Sequence, residues 1–259
     1  MSGPVVGPVV GPVVDPVVGP VAGPVAGSVV SAPNLAGIEL TRRGDRAGEE
    51  RCVLVHGFGL RDAPWPDGVT LVRQIHSDIV VDAGAEDADP EVIRKNEPIC
   101  EGDALITDRP ESLIGIKTAD CVPILLADPA TGAVGAVHAG WRGTAQHIVA
   151  GTVREMSARW GVRPENLRAA IGPAIGVCCY QVGVEVARRF GIECSGSVHL
   201  DLAKINHQQL VQMGVSNVWV SGECTFCSPL RFYSFRRERE QAGRMLSYIG
   251  WQKHDGRAF

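Results

Sequence analysis

Leu113-Ile-Gly-Ile-Lys-Thr-Ala-Asp-Cys-Val-Pro-Ile-Leu-Leu-Ala127 holds two apolar runs separated by a polar knot. A third run, Ala133 to Val137, leads straight into His138-Ala-Gly-Trp-Arg-Gly-Thr144. Short apolar runs bounded by turn residues read as buried strands. After Thr144 the period changes. Ile148, Val149, Thr152, Val153, Met156 and Trp160 share one face at three-to-four spacing, which predicts a helix starting near Thr144. Upstream, Arg51 to His56, Val69 to Arg73, Ile75 to Val81 and Asp103 to Thr107 read as strands. Downstream, Leu167 to Ile171 is a strand closed by Gly172-Pro173, and Val182 to Phe190 is helical. Asp201 can cap a helix carrying Leu202, Ile205, Leu210 and Met213, which stops at Gly214. Val218 to Val220 and Arg244 to Trp251 complete the strands. Strands outnumber helices and arrive both singly and in runs. That favours an α+β sandwich over a doubly wound parallel sheet.

The N-terminus follows another rule. From Gly3 to Val30 the chain repeats every four residues: GPVV three times, DPVV, GPVA twice and GSVV. A proline at every fourth position removes helical hydrogen bonds and ladder donors alike. No Lys or Arg precedes the run, and its prolines forbid the helical centre of a secretory signal. Residues 1–33 are therefore expected to be a disordered low-complexity tail, and residues 34–259 the working domain. Deleting Met1 to Pro33 is expected to leave activity and melting temperature nearly unchanged.

Composition excludes several function classes. Twenty-five basic and 29 acidic side chains give a net charge of −4, against a general nucleic-acid binder. No apolar stretch is long enough to cross a membrane. Eight cysteines in so long a chain, without a convincing export signal, point to a reducing cytoplasm rather than a disulfide framework. Cys224-Thr-Phe-Cys227 is a lone C-x-x-C. A structural zinc would want a second pair nearby, and none is read in the sequence, so these read as loop cysteines.

Three places carry possible chemistry. Gln74-Ile-His-Ser-Asp78 puts an imidazole among β-branched residues. Thr118-Ala-Asp-Cys121 puts an acid beside a thiol between two apolar strands. His138 to Thr144 joins a strand end, a glycine turn and a helix start, with Arg142 beside free amides that suit an anion. His76, Cys121 and His138 together are two imidazoles and one thiolate, a set suited to zinc with a fourth position open. Their spacings, 45 and 17 residues, lie outside any short metal-ligand motif.

The strings QIHSD, GDALIT, TADCVPILLAD, AVHAGWRGT, AAIGPAIGVCCYQVG, ECTF and FYSFRRE occur in that order from about Val53 to Trp251. In these the chain resembles the laccase-domain family, also called the polyphenol-oxidase or YfiH-like family. The resemblance implies a single-domain α/β/β/α fold similar to the catalytic domain of cytotoxic necrotizing factor. It implies zinc held by His76, Cys121 and His138. It also implies purine nucleoside phosphorolysis, with adenosine deamination and methylthioadenosine phosphorolysis alongside, and an older label of copper-dependent laccase. Seven histidines with no His-x-His pair are too few for a multicopper oxidase. Cu(II) would outcompete zinc at such a site in vitro, so copper loading would prove little.

Asp120 is the candidate acid/base for deamination, although a neighbour of Cys121 can equally point away and cap a turn. Arg142 and the Gly143 turn are the candidate phosphate cradle, with Gln74, Arg236 and Arg237 as further substrate contacts. The expected ligands are a purine nucleoside and phosphate, with no nucleic acid, membrane or obligate protein partner. Rival readings are a hydrolase or deamidase using Cys121 as nucleophile and His138 as base, an editing enzyme for cell-wall precursors, and a nucleotide-binding module without turnover.

Overall fold

A computed structural model describes residues 29–43, 49–84, 91–92 and 95–253. The four-residue repeat up to residue 28, expected to be disordered, lies outside the described residues. Two mixed sheets lie face to face. The first has seven strands in the order β1 (Val29–Val30), β3 (Glu49–Gly59), β15 (Met245–Lys253), β8 (Leu113–Thr118), β4 (Val69–Arg73) and β6 (Pro98–Glu101), with β2 (Glu39–Arg43) also on β3. The second runs β14 (Asn217–Val220), β11 (Arg168–Ile171), β9 (Val122–Ala127), β10 (Val134–Ala139), β7 (Ala104–Thr107) and β5 (Val80–Asp82). β12 (Gln181–Val182) and β13 (Val198–His199) form a small ribbon apart. The architecture is the α+β class expected.

Phe58, Ile114, Ile116, Ile249 and Trp251 of the first sheet meet Leu105, Leu125, Ala136 and Ala170 of the second in one core. On the second sheet's other face, Ile124, Leu126 and Val137 pack under Ile148, Val149, Val153 and Met156 of α2 (Ile148–Trp160). Val186 of α3 (Val184–Arg189) and Leu210 of α4 (Leu202–Gln212) join them. β9 is thus buried on both faces, which is why it is continuously apolar rather than alternating. Asp201 caps α4 as expected, accepting from the Lys204 amide at 2.9 Å. Gly214 ends that segment at φ +92°, a conformation glycine adopts without strain. No helix among the described residues is long and apolar enough to cross a membrane.

Two departures from the sequence reading bear on the site. Ile75 to Val81 is not a strand: only Val80–Asp82 pairs. The amides of Ile75, His76 and Ser77 instead converge on the Asp103 carboxylate, so they are lost to a ladder. The helix starts earlier than expected and is broken. α1 (Trp141–Ala145) ends before His147, which sits at φ +61°, and α2 follows. Gln209 takes the Thr144 carbonyl at 2.9 Å, and Asn206 takes its hydroxyl at 2.9 Å. That carbonyl also accepts from the His147 amide at 3.1 Å, closing a three-residue turn where α1 ends.

The expected boundary at residue 33 also moves. Val29 and Val30 pair with Gly59 and Phe58, Val30 and Ala32 are buried, and the Ala32 amide donates to His56 Nε2 at 3.0 Å. Losing a buried valine and these bonds costs about 2–4 kcal/mol. A chain starting at Asn34 should therefore melt clearly below one starting at Val29. Equal melting temperatures in thermal denaturation would show that β1 adds nothing.

Candidate metal centre and active-site pocket

The chain crosses between the two sheets repeatedly at one end of the sandwich, and two of these crossings carry candidate ligands. β8 of the first sheet passes to β9 of the second through only Ala119, Asp120 and Cys121. β4 passes to β5 through residues 74–79. β10 lies antiparallel to β9, with His138 opposite Pro123, so its end comes up beside Cys121. A polar knot between two apolar strands is therefore the point where the chain changes sheet. Both hops need backbone that an extended strand does not supply: His76 sits at φ +62° and Asp120 at φ +91°. Such conformations are sparsely populated and persist only when the surroundings fix them.

The hops bring His76, Cys121 and His138 together. One ligand atom from each lies within 4.8 Å of the others, and the imidazole centroids are 5.0 Å apart at 78°. His138 is buried, Cys121 half-buried and His76 exposed, so the trio is closed behind and open in front. Burial pushes the Cys121 thiol up, but the charge on His138 and hydrogen bonds from both imidazoles outweigh it and bring it to about 6. Burial pushes His138 down, but the Cys121 thiolate and Asp103 outweigh that and lift it to about 9. Between these values the bare pair is thiolate and imidazolium. Two imidazoles and a thiolate within reach of one ion form a donor set that fits zinc.

Asp103 is the support that the sequence reading missed. It has no exposed surface, and its Oδ1 accepts from His138 Nδ1 at 2.8 Å and the His76 amide at 3.0 Å. Its Oδ2 accepts from the Ser77 amide at 2.6 Å, the Ser77 hydroxyl at 2.7 Å and the Ile75 amide at 3.2 Å. Burial pushes this carboxyl up, but the bonds from His138 and Ser77 prevail and hold it at about 2. With Nδ1 engaged, Nε2 of His138 is the nitrogen left for a metal. The signal was the acid of GDALIT, a carboxylate at the mouth of an apolar strand, but nothing in its spacing pointed to His138.

Gly140 is a second omission. A Cβ there would sit 3.1 Å from Cys121 Sγ and 3.2 Å from His76 Cδ2, so the glycine leaves space at the centre of the trio. Its φ of −70° is one alanine adopts freely. Gly140→Ala should fold normally yet bind zinc about 10- to 100-fold more weakly, the cost of overpacking by one methyl. A competition titration against a zinc chelator reads this, and unchanged affinity would refute the crowding.

In front of the trio lies a pocket of about 590 Å³, within the range of small-molecule sites. Trp141, Tyr180 and Phe235 offer aromatic walls, and Lys117, Arg142, Arg236, Arg239 and Arg244 give it a cationic rim. Arg142 is exposed and stacks on its neighbour, its guanidinium carbon 4.3 Å from the Trp141 ring centroid. It has no carboxylate partner among the described residues. Burial beside Cys121 raises the Tyr180 phenol to about 12, so it stays a neutral donor.

Other expected substrate contacts have different occupations. Gln74 lines the pocket, but its amide is spent on the Lys117 backbone, donating to the carbonyl and accepting from the N–H at 2.8 Å each. Gly143 lies outside the pocket lining. Its missing Cβ would meet the Ser77 carbonyl at 2.9 Å, so it lets α1 rest on the His76 loop. Arg236 does line the pocket and also donates to the Gln181 carbonyl at 2.9 Å. Arg237 points the other way. Its guanidinium donates to the carbonyls of Thr225, Phe226 and Phe232 and to Glu238. Both follow the Ser234 cap of α5 (Phe235–Glu238), and successive helical residues cannot share a face. Asp120 faces the pocket wall, but its carboxylate accepts from the Thr225 hydroxyl at 2.6 Å, the Ser234 hydroxyl at 3.0 Å and the Arg236 amide at 2.6 Å.

The family described as Multi-copper polyphenol oxidoreductase laccase matches residues 45–252. A purine nucleoside phosphorylase of Deinococcus radiodurans is 40% identical over 238 residues, covering 88% of this chain and 87% of that protein. Adenosine deaminase RL5, from an unknown prokaryotic organism, is 36% identical over 200 residues, 71% of this chain and 75% of that one. YlmD from Geobacillus stearothermophilus superposes with a TM-score of 0.71 at 28% identity, over 85% of this chain and 93% of its own. The hypothetical protein YfiH of Bacillus licheniformis does so at 0.69 and 30% identity, over 76% and 92%.

Proposed function

The chain belongs to the laccase-domain, or YfiH-like, family, and on that premise we propose that it is a zinc-dependent purine nucleoside phosphorylase with adenosine deaminase activity. Adenosine, inosine, guanosine and methylthioadenosine are its candidate substrates. The observation that carries this reading is the His76–Cys121–His138 trio opening into an aromatic pocket with a cationic rim. Zinc, when bound by those three side chains, would supply Lewis acidity at the pocket floor. Copper could replace it in vitro.

The chain's own groups divide the remaining work. Trp141, Tyr180 and Phe235 sandwich the purine, an apolar slab with polar edges. Arg142 grips two phosphate oxygens with its planar fork and presents a third to the sugar C1′. The C1′–O bond forms as the C1′–N9 bond breaks, and the purine leaves with the electron pair and takes up the proton that the phosphate gives up. The rim cations spread the phosphate charge through that step. Asp120 serves as a positioning residue: its three donors tie the Thr225 loop to the start of α5, which fixes Arg236 at the rim. In deamination a water attacks C6 of the adenine ring instead: the C6–O bond forms, the C6–N bond breaks, and the amino group leaves as ammonia carrying a proton from that water. We place the activity in a reducing cytoplasm, where an exposed thiol such as that of Cys100 persists.

Metal-defined protein given adenosine with and without phosphate tests the reading. Adenine formed only with phosphate is the expected product, with inosine formed in either case as the minor activity. No turnover under either condition would leave a binding module. Equal turnover by zinc-free protein, stopped by alkylating Cys121, would install the Cys121–His138 nucleophile pair instead, a reading that the thiolate–imidazolium state makes chemically competent.

A further inference from the structure

Away from the pocket trio, four of the eight cysteines converge. Cys178 and Cys179 stand in the turn after Gly176, and Cys224 and Cys227 in the loop after β14. Their Sγ atoms all lie within 4.8 Å of one another. The second pair that the lone C-x-x-C lacked in sequence is supplied by the fold, from about 45 residues upstream. We propose that Cys178, Cys179, Cys224 and Cys227 form a second metal centre, a tetrathiolate site that takes zinc as a structural ion.

The geometry separates this from loose thiols and from disulfides. A tetrahedral zinc with bonds of about 2.3 Å sets its sulfurs about 3.8 Å apart. Cys227 Sγ lies 3.7 Å from that of Cys178 and 3.3 Å from that of Cys179, whereas a disulfide needs about 2.05 Å. All four donors are protein sulfurs, which describes a closed structural site with no position for substrate. Zinc entry would displace the protons still held by these thiols and needs no oxidant. Cys178 and Cys227 are exposed, which gives the ion a way in.

The surroundings already support the sulfurs. The Gly176 amide donates to Cys224 Sγ at 3.2 Å, the kind of outer contact that stabilises a ligating thiolate. A Cβ on Gly176 would fall 3.2 Å from Cys224 Cβ and 3.3 Å from Cys178 Sγ, so a glycine is what lets the two loops close. Ala174 and Cys224 form a parallel bridge just beside the cluster. An ion here would clamp the 173–180 loop to the 221–228 loop. These carry Tyr180 of the pocket wall and Thr225, whose hydroxyl holds Asp120. The site is therefore a staple behind the pocket.

The test uses the full chain purified without chelator, and it stands apart from any activity. Elemental analysis should find two zinc ions per wild-type chain, one in Cys121→Ala and one in Cys224→Ser/Cys227→Ser. Cobalt added in equal amount to zinc-stripped Cys121→Ala should give an intense thiolate-to-metal absorption, because the first site then holds no sulfur. That measurement decides the matter even if the double variant does not fold. No cobalt–thiolate band in Cys121→Ala would overturn the proposal, as would a disulfide among the four cysteines found by mass spectrometry of the native protein. Failure of phosphorolysis with two zinc ions bound would instead count against the catalytic reading alone.

Discussion

Asp103→Asn is expected to fold, to bind zinc about 10- to 100-fold more weakly and to lose roughly 2–4 kcal/mol of stability. The substitution keeps the shape and removes the charge, so its effect isolates what the carboxylate does. Every group around it is a donor or can be one: three amides, a hydroxyl and His138 Nδ1. An asparagine must turn its own NH2 toward one side. Placed at Oδ1, it meets the His76 amide and forces His138 to accept at Nδ1, which puts the proton on Nε2 and removes the lone pair a metal needs. Placed at Oδ2, it faces the amides of Ile75 and Ser77, which become buried orphans. Either pose would damage the candidate metal site through a residue outside its three ligands. Zinc content and thermal melting on one preparation read both effects, and a variant unchanged in both would refute the assignment.

The same carboxylate predicts an acid limit. Its folded value of about 2 lies below the ordinary 3.8, so the folded state binds its proton less readily than the unfolded one. That contribution, about 2 kcal/mol, is present above pH 4 and is lost as the pH falls toward 2. Asp103→Asn should therefore melt less steeply with acid over that window than the wild type.

The sheets were legible because the apolar runs are long and end in turn residues. Val69–Arg73 and Val122–Ala127 were read to the residue. Ile75 to Val81 failed because β-branched composition describes a pleated surface, and no local pattern reveals a carboxylate 28 residues away that collects the amides. The candidate metal trio was assembled from residue types in three short motifs, but spacings of 45 and 17 residues carried little, and it was the family resemblance that implied zinc there. The four-cysteine cluster was not legible, because loops brought together by a parallel bridge leave no trace in linear spacing. The two arginines of Ser-Phe-Arg-Arg show the limit most plainly. Adjacent residues of one type were read as one feature, yet Arg236 faces the pocket and Arg237 is consumed by three carbonyls and a glutamate.

Arg142→Ala should cut phosphorolysis roughly 30- to 1000-fold, the 2–4 kcal/mol typical of one charged contact at a developing transition state. Zinc content and melting temperature should hardly move. The alternative role for this arginine is a structural ion pair at the start of α1, and the geometry offers no support for it. The side chain is exposed, has no carboxylate partner among the described residues, and rests on the Trp141 ring at the pocket edge. Losing an exposed, unpaired side chain costs the fold within about 0.5 kcal/mol. The expected loss is therefore confined to the reaction that uses an anion. Deamination takes water instead and should fall by much less. Arg142→Lys keeps the charge but not the fork, so it should recover part of the rate and leave phosphate bound more weakly than in the wild type. Steady-state kinetics with phosphate as the varied substrate, beside deamination by the same preparations, separates the roles. A parallel fall of both reactions would place Arg142 in the common architecture of the pocket and take the phosphate away from it.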